Sequence, residues 1–267
     1  MTSLWIVTLA AFALLALIIV VLIRTTRLRA WQGVLLFLLP LLLANLLWFS
    51  WLKPQQQRAA QQQAAIDYLA QTPGYRVLQT QEPALWQLLV QELQHRVRRG
   101  ETPQQAAGEL RGWLADVINQ RLMRAPDSAV VNYIRVSVSA MQALGQRDPQ
   151  LCFRFLYPQV SGGVNLVTTL SPSLNAQDAA AMEQLLLASR GGEVPVDQPQ
   201  AQQNLQRIVA ALYKKWGDKL QQLNMPADTA VDRSSMCAMS VDLYSAILAL
   251  PDKQAANLLR RMVALSG

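Results

Sequence analysis

Two long runs without a charged residue dominate the first fifth of the chain. Ser3 to Ile23 is 21 residues long, and Gly33 to Leu52 is a second run of 20. As helices rising about 1.5 Å per residue, each would cover a hydrocarbon core of about 30 Å. The pattern therefore predicts a two-span transmembrane hairpin, 3–23 and 33–52, joined by the loop 24–32. Pro40 and Asn45 interrupt the second run and mark a kink or helix contact there. The loop carries Arg24, Arg27 and Arg29 and no acid, which by the positive-inside tendency places it in the cytoplasm. No Lys or Arg precedes Trp5, so the basic start of a cleaved signal peptide is missing. The expected topology has both chain ends outside: a multi-pass protein of a bacterial inner membrane, with its N-terminus and a large C-terminal domain in the periplasm. Trp5, Trp31, Trp48 and Trp51 then read as interfacial anchors.

Beyond Lys53-Pro54 the segment 54–72 is rich in Gln and Ala and has no apolar stripe until Ile66, which predicts a polar helical stalk. The rest, 73–267, reads as a helical extracytoplasmic domain. Leu85, Leu88, Leu89, Leu93 and Val97 recur at three- and four-residue spacing, predicting a helix over 82–99. Thr102-Pro103-Gln104-Gln105 combines an N-cap, a proline in the first turn and Gln at the third helical position, the start of a helix over 103–123. Val130, Ile134, Val138 and Met141 support a helix over 128–144, although the β-branched residues of 129–139 also permit a strand that would pair with 75–80 or 163–170. Further helices are expected at 149–157, 175–189, 200–223, 229–248 and 251–265. Pro158 to Pro172 reads as irregular, and Gly191 to Pro199 as a subdomain hinge. The fold class is all-α, with room for at most a very small sheet.

Charge changes this picture less than its total suggests. The net charge is +7, but Arg24, Arg27, Arg29 and Lys53 hold four of the positives, leaving 20 basic and 17 acidic residues in 54–267. That near balance argues against nucleic acid as a partner. A single His excludes a multi-histidine metal site, and no phosphate-binding loop or nucleophile elbow occurs, so no cofactor and no metal are expected. Cys152 and Cys237, the only cysteines, are expected to form a disulfide across the hinge in an oxidising compartment.

Binding candidates are Arg96, Arg98 and Arg99, which form a basic patch beside His95 extended by Arg111, Arg121 and Arg124, and Arg154 with Tyr157 beside the Ser161-Gly162-Gly163 loop. Glu101, Glu109 and Asp116 are the acids nearest one another along a helix, but seven residues separate the last two, about 10.5 Å along the axis, too far for a retaining carboxylate pair. The sequence therefore predicts a membrane-anchored envelope protein that contacts the lipid bilayer and binds or positions an envelope protein. A cell-wall polymer is a further candidate partner. The alternatives are a cell-wall hydrolase with an acidic catalytic residue, or an accessory or sensor subunit of a membrane complex.

Overall fold

The structure is a computed structural model that describes residues 17, 18, 20, 21 and 30–266. By its internal contacts the chain divides into two units, Met1–Ala60 and Gln61–Gly267. In the first unit, α1 (Ala30–Leu47) passes into a π-helical turn, Trp48–Leu52, and Lys53 begins α2 (Lys53–Gln71). Asn45 turns its side-chain amide back to the Leu41 carbonyl at 3.0 Å, and the Ser50 hydroxyl donates to the Leu46 carbonyl.

This geometry corrects the membrane reading. The expected second span is not one regular helix: α-helical geometry stops at Leu47. Residues 34–47, the apolar part of α1, cover only about 21 Å at 1.5 Å per residue. No helix among the described residues is long and apolar enough to cross a membrane. The expected first span, 3–23, and the loop bearing Arg24, Arg27 and Arg29 lie almost wholly outside the described residues. The bilayer as partner, the multi-pass inner-membrane location with a periplasmic domain, and the function as a membrane-anchored envelope protein all rested on the two spans, and they lose their support with them.

The second unit is all-α. Among the described residues there is no strand, which corrects the allowance for a small sheet. The segment that held the strand alternative is the middle of a 21-residue helix, and its two suggested pairing partners are helical as well: 75–80 lies in α3 (Tyr75–Gln81), and 163–170 contains the short turn Leu166–Thr169. The apolar stripe decides the matter, because Val130, Val138 and Met141 fall on one buried helical face with Val131, Ala140 and Leu144 beside them.

The remaining helices are α4 (Pro83–Arg98), α5 (Pro103–Glu109), α6 (Ala115–Arg124), α7 (Asp127–Arg147), α8 (Pro149–Leu156), α9 (Pro158–Ser161), α10 (Leu166–Thr169), α11 (Pro172–Ala188), α12 (Gln198–Trp216), α13 (Arg233–Leu248) and α14 (Asp252–Ser266). The start signals are local and repeat. Thr102 makes a reciprocal capping box with Gln105, while Asp148, Ser171 and Asp197 accept from the backbone N–H two or three residues ahead. A proline follows each cap within two residues, where its missing N–H costs nothing. The expected helix 103–123 is broken by a 3-10 turn, Leu110–Leu114, and the one expected at 200–223 leaves α geometry at Gly217, whose φ is +56°. The helix expected from Thr229 starts only at Arg233, because Asp232 caps it there.

Helix α7 lies at the centre, packed by α8, α11, α13 and α14. The largest core runs from Ala65 and Leu69 of α2 through Leu89 and Leu93 of α4 and Leu110 and Leu114 of the 3-10 turn to Leu185, Leu186 and Leu258. The C-terminal part of the expected stalk is thus buried structure. A second cluster surrounds the disulfide between Cys152 of α8 and Cys237 of α13, whose Cα atoms are 5.8 Å apart. It links residues 85 apart in sequence, which in the chain-entropy model removes about 4–5 kcal/mol of unfolded-state freedom. The expected hinge 191–199 is irregular up to Asp197 but held at both sides. Val194 N–H donates to the Met123 carbonyl at 2.9 Å, and Asn257 exchanges two hydrogen bonds with the Asp197 backbone, each 2.9 Å.

Two predictions follow from these contacts. Replacing both cysteines with alanine lowers the free energy of unfolding by about 2–5 kcal/mol. Urea denaturation of the oxidised protein and the double variant measures it, and equal midpoints would reject the bridge as a stabilising element. The Asp232 carboxylate is held below the usual range, first by the Ser235 hydroxyl and then by backbone N–H groups. Its charge therefore stabilises the fold above the unfolded-state value, and that contribution is lost as pH falls through the lower folded-state value. Thermal melts of wild type and Asp232→Ala should differ near neutral pH and draw together as pH falls below the usual carboxylate range.

Candidate functional site

The sequence candidates do not converge. On α4, Arg96 pairs with Glu92 at 2.9 Å and reaches Glu101 at 3.6 Å, Arg99 pairs with the same Glu101 at 3.4 Å, and Arg98 donates to its own helix at the Gln94 carbonyl. Arg96 and Arg99 are thus partly neutralised where they stand, and Arg121 turns inward to Glu82 at 2.7 Å and the Ser189 carbonyl at 3.3 Å. Arg154 donates to the Gly163 carbonyl at 2.6 Å and holds the loop after α9. The Tyr157 ring packs on Phe153 with centroids 5.1 Å apart; burial pushes its hydroxyl pKa up, against a hydrogen bond with Ser240 that lowers it. Tyr157 thus packs against the core of Phe153, Met236 and Met239, while Arg154 is exposed. Glu109 and Asp116 are exposed, and the 3-10 turn separates them, so the single-helix geometry expected for them does not exist. Cys152 and Cys237 are bonded to each other, and neither is available to His95 as a nucleophile.

The structure brings together instead a set of residues far apart in sequence. Arg111, on the 3-10 turn, and Asp178, on α11, form a forked ion pair: Nη2 donates to Oδ1 at 2.8 Å and Nη1 donates to Oδ2. Asp178 is buried, while the Arg111 side chain keeps 23% of its exposure. Tyr75 of α3 and Tyr133 of α7 flank the pair, and the Phe155 ring lies 5.9 Å from the guanidinium. Burial acts to lower the Arg111 pKa, but the Asp178 charge overrides it and the value stands above that of a free guanidinium. Burial raises both tyrosines in turn, so their hydroxyls remain protonated donors. Tyr75 directs its hydroxyl to the Ala107 carbonyl at 3.4 Å.

Two glycines permit this closeness. A Cβ on Gly108 would stand 2.0 Å from Asn165 Oδ1, and one on Gly74, where φ is +85°, would stand 2.2 Å from the Met182 methyl. The cavity beside the pair has a volume of about 60 Å³, room for roughly two waters. It is well below the several hundred Å³ typical of small-ligand pockets. With both carboxylate oxygens and the inner guanidinium edge committed to each other, this cluster is a packed polar junction rather than a receptor.

The larger concavity lies between α7 and α11. It is an open groove of about 540 Å³ lined by Pro126, Ser128, Ala129, Asn132, Gln184, Leu187 and Ala188. Within its lining Asn132 Nδ2 donates to Gln184 Oε1 at 3.2 Å, and Leu187 stands 47% exposed. None of the residues named from sequence lies in it. Its walls are nevertheless anchored by the central packing of α7 on α11, so the groove is carried on two long helices rather than on loops. Among the described residues no three His, Cys, Asp or Glu side chains gather to hold a metal ion.

Taken together these features define a disulfide-tied, all-α domain with an open surface concavity between α7 and α11. No family model matches the chain, and neither the curated proteins nor the solved structures contain a match to it.

The ion pair yields a test that separates junction from receptor. Arg111→Met leaves the Asp178 carboxylate buried and unpaired, a loss of about 3–5 kcal/mol. Adding Asp178→Leu to it recovers most of that loss. Chemical denaturation of the two single variants and the double variant closes the cycle; a double variant as unstable as the sum of the singles would contradict the pairing.

Proposed function

We propose that this protein is a docking module that receives a segment of another protein in the groove between α7 and α11. The observation that carries this reading is the groove's construction. It is open, its lining mixes small side chains with one exposed leucine, and the amide groups of Asn132 and Gln184 can hydrogen-bond a visiting backbone. An exposed apolar anchor within a polar rim is the usual layout of a recognition surface.

The test uses a photoreactive phenylalanine derivative placed in the full chain at Leu187 and, as a control, at Met225, which is comparably exposed outside the groove. Irradiation in the native host should yield a discrete adduct from Leu187 and none from Met225. Leu187→Asp should, in a protein labelled at Asn132, reduce the adduct at least fivefold without changing the melting temperature by more than a degree or two. Equal labelling from the groove and control positions would overturn the proposal.

A further inference from the structure

The first unit carries an apolar surface that no described part of the chain covers. From Leu42 to Leu52 every residue is exposed, and Leu38, Leu39, Leu46, Phe49 and Trp51 keep 45–64% of their surface. The described part of the upstream run is bare as well, with Leu17, Ile18 and Val20 keeping 46–67%. Together the large apolar side chains of 35–52 present on the order of 800 Å² to the outside. The largest apolar patch on an ordinary monomer is about 300–600 Å². A stable interface takes about 800 Å² from each partner, so this face has the extent of one half of an interface.

The chemistry of the face selects its occupant. Residues 30–52 contain no charged side chain, so the net charge of +7 is carried elsewhere and does not oppose a second copy here. The Asn45 amide and the Ser50 hydroxyl both donate to carbonyls of their own helical run, at Leu41 and Leu46, and do not call for a polar partner. What fits is an equally long, equally uncharged helical face. Beyond residue 60 the exposed large apolar side chains, Leu88, Trp113 and Met225 among them, are scattered and form no run of that length. We infer that 35–52 is a self-association surface, covered by the same segment of a second copy of this chain with α1 against α1. The same patch on both partners is the self-complementary arrangement of a symmetric pair. The groove between α7 and α11 takes no part in it.

The test uses the full chain as an equal mixture of unlabelled and heavy-nitrogen-labelled protein, with a photoreactive phenylalanine derivative in place of Phe49. Irradiation should join light copies to heavy ones, with both ends of the crosslink within 30–52, and sedimentation equilibrium should give a dimer or a larger assembly. Leu42→Gln combined with Leu46→Gln should raise the dissociation constant at least tenfold. The melting temperature should stay the same, because both positions are exposed and glutamine is a good helix former. Leu187→Gln, in the groove, is the control and should leave the association intact. A monomer, crosslinks confined to one copy, or an association that survives the α1 substitutions and is lost with Leu187→Gln overturns the inference. So does a chain recovered only with detergent or lipid bound, or one that moves as a monomer onto phosphatidylcholine vesicles, since acyl chains then cover the face.

Discussion

The Arg111–Asp178 pair is the constraint around which the second unit is arranged. A forked charge pair tolerates little misalignment, and one member is buried, so the 3-10 turn and α11 must meet in one register for the carboxylate to be satisfied. Tyr75 brings α3 to the same point and Tyr133 brings α7. Four elements from separate parts of the chain are thus fixed by one polar contact. The groove between α7 and α11 inherits its geometry from this junction, because both of its walls pass through it.

The disulfide does a different kind of work at the other end of α7. It sits in a compact cluster with Met141, Leu144 and Leu166, and Phe155 of the bonded helix reaches the Arg111 guanidinium. The two devices therefore share a neighbour. One acts on the folded state through direction and charge, and the other acts chiefly on the freedom of the unfolded chain. Arg260 adds a third tie. It is almost fully buried and donates to the Leu122 and Ala125 carbonyls at the end of α6 as well as to Asp127 at the start of α7, so the last helix of the chain closes the turn between them.

Helices were legible in the sequence because their signals are local. Periodic leucines, Thr102-Pro103 and Asp148-Pro149 give period and start within a few residues, and the structure shifts those starts by little. The pairing of Cys152 with Cys237 was legible for a different reason, since two cysteines allow only one intramolecular bond. The apolar run at 33–52 misled, because composition does not register the change to π geometry at Trp48. The polar junction was hidden, since nothing in the spacing of Arg111 and Asp178, 67 positions apart, joins them. One signal did exist. Asp178 falls in step with Leu174, Met182 and Leu185 on the apolar stripe of α11, and an acid at a core position demands a buried partner. The groove left no such trace, because concavity arises from how two helices cross and not from either one alone.

The irregular segment from Ser189 to Asp197 separates α11 from α12, yet the covalent loop closed by Cys152 and Cys237 encloses it. A protease that cuts within 191–193 would therefore produce two polypeptides that stay attached to each other. The nicked molecule would keep α7 and α11 side by side and separate into fragments only after reduction. Backbone continuity and structural continuity are uncoupled at this point, and the protein can lose the first there without losing the second.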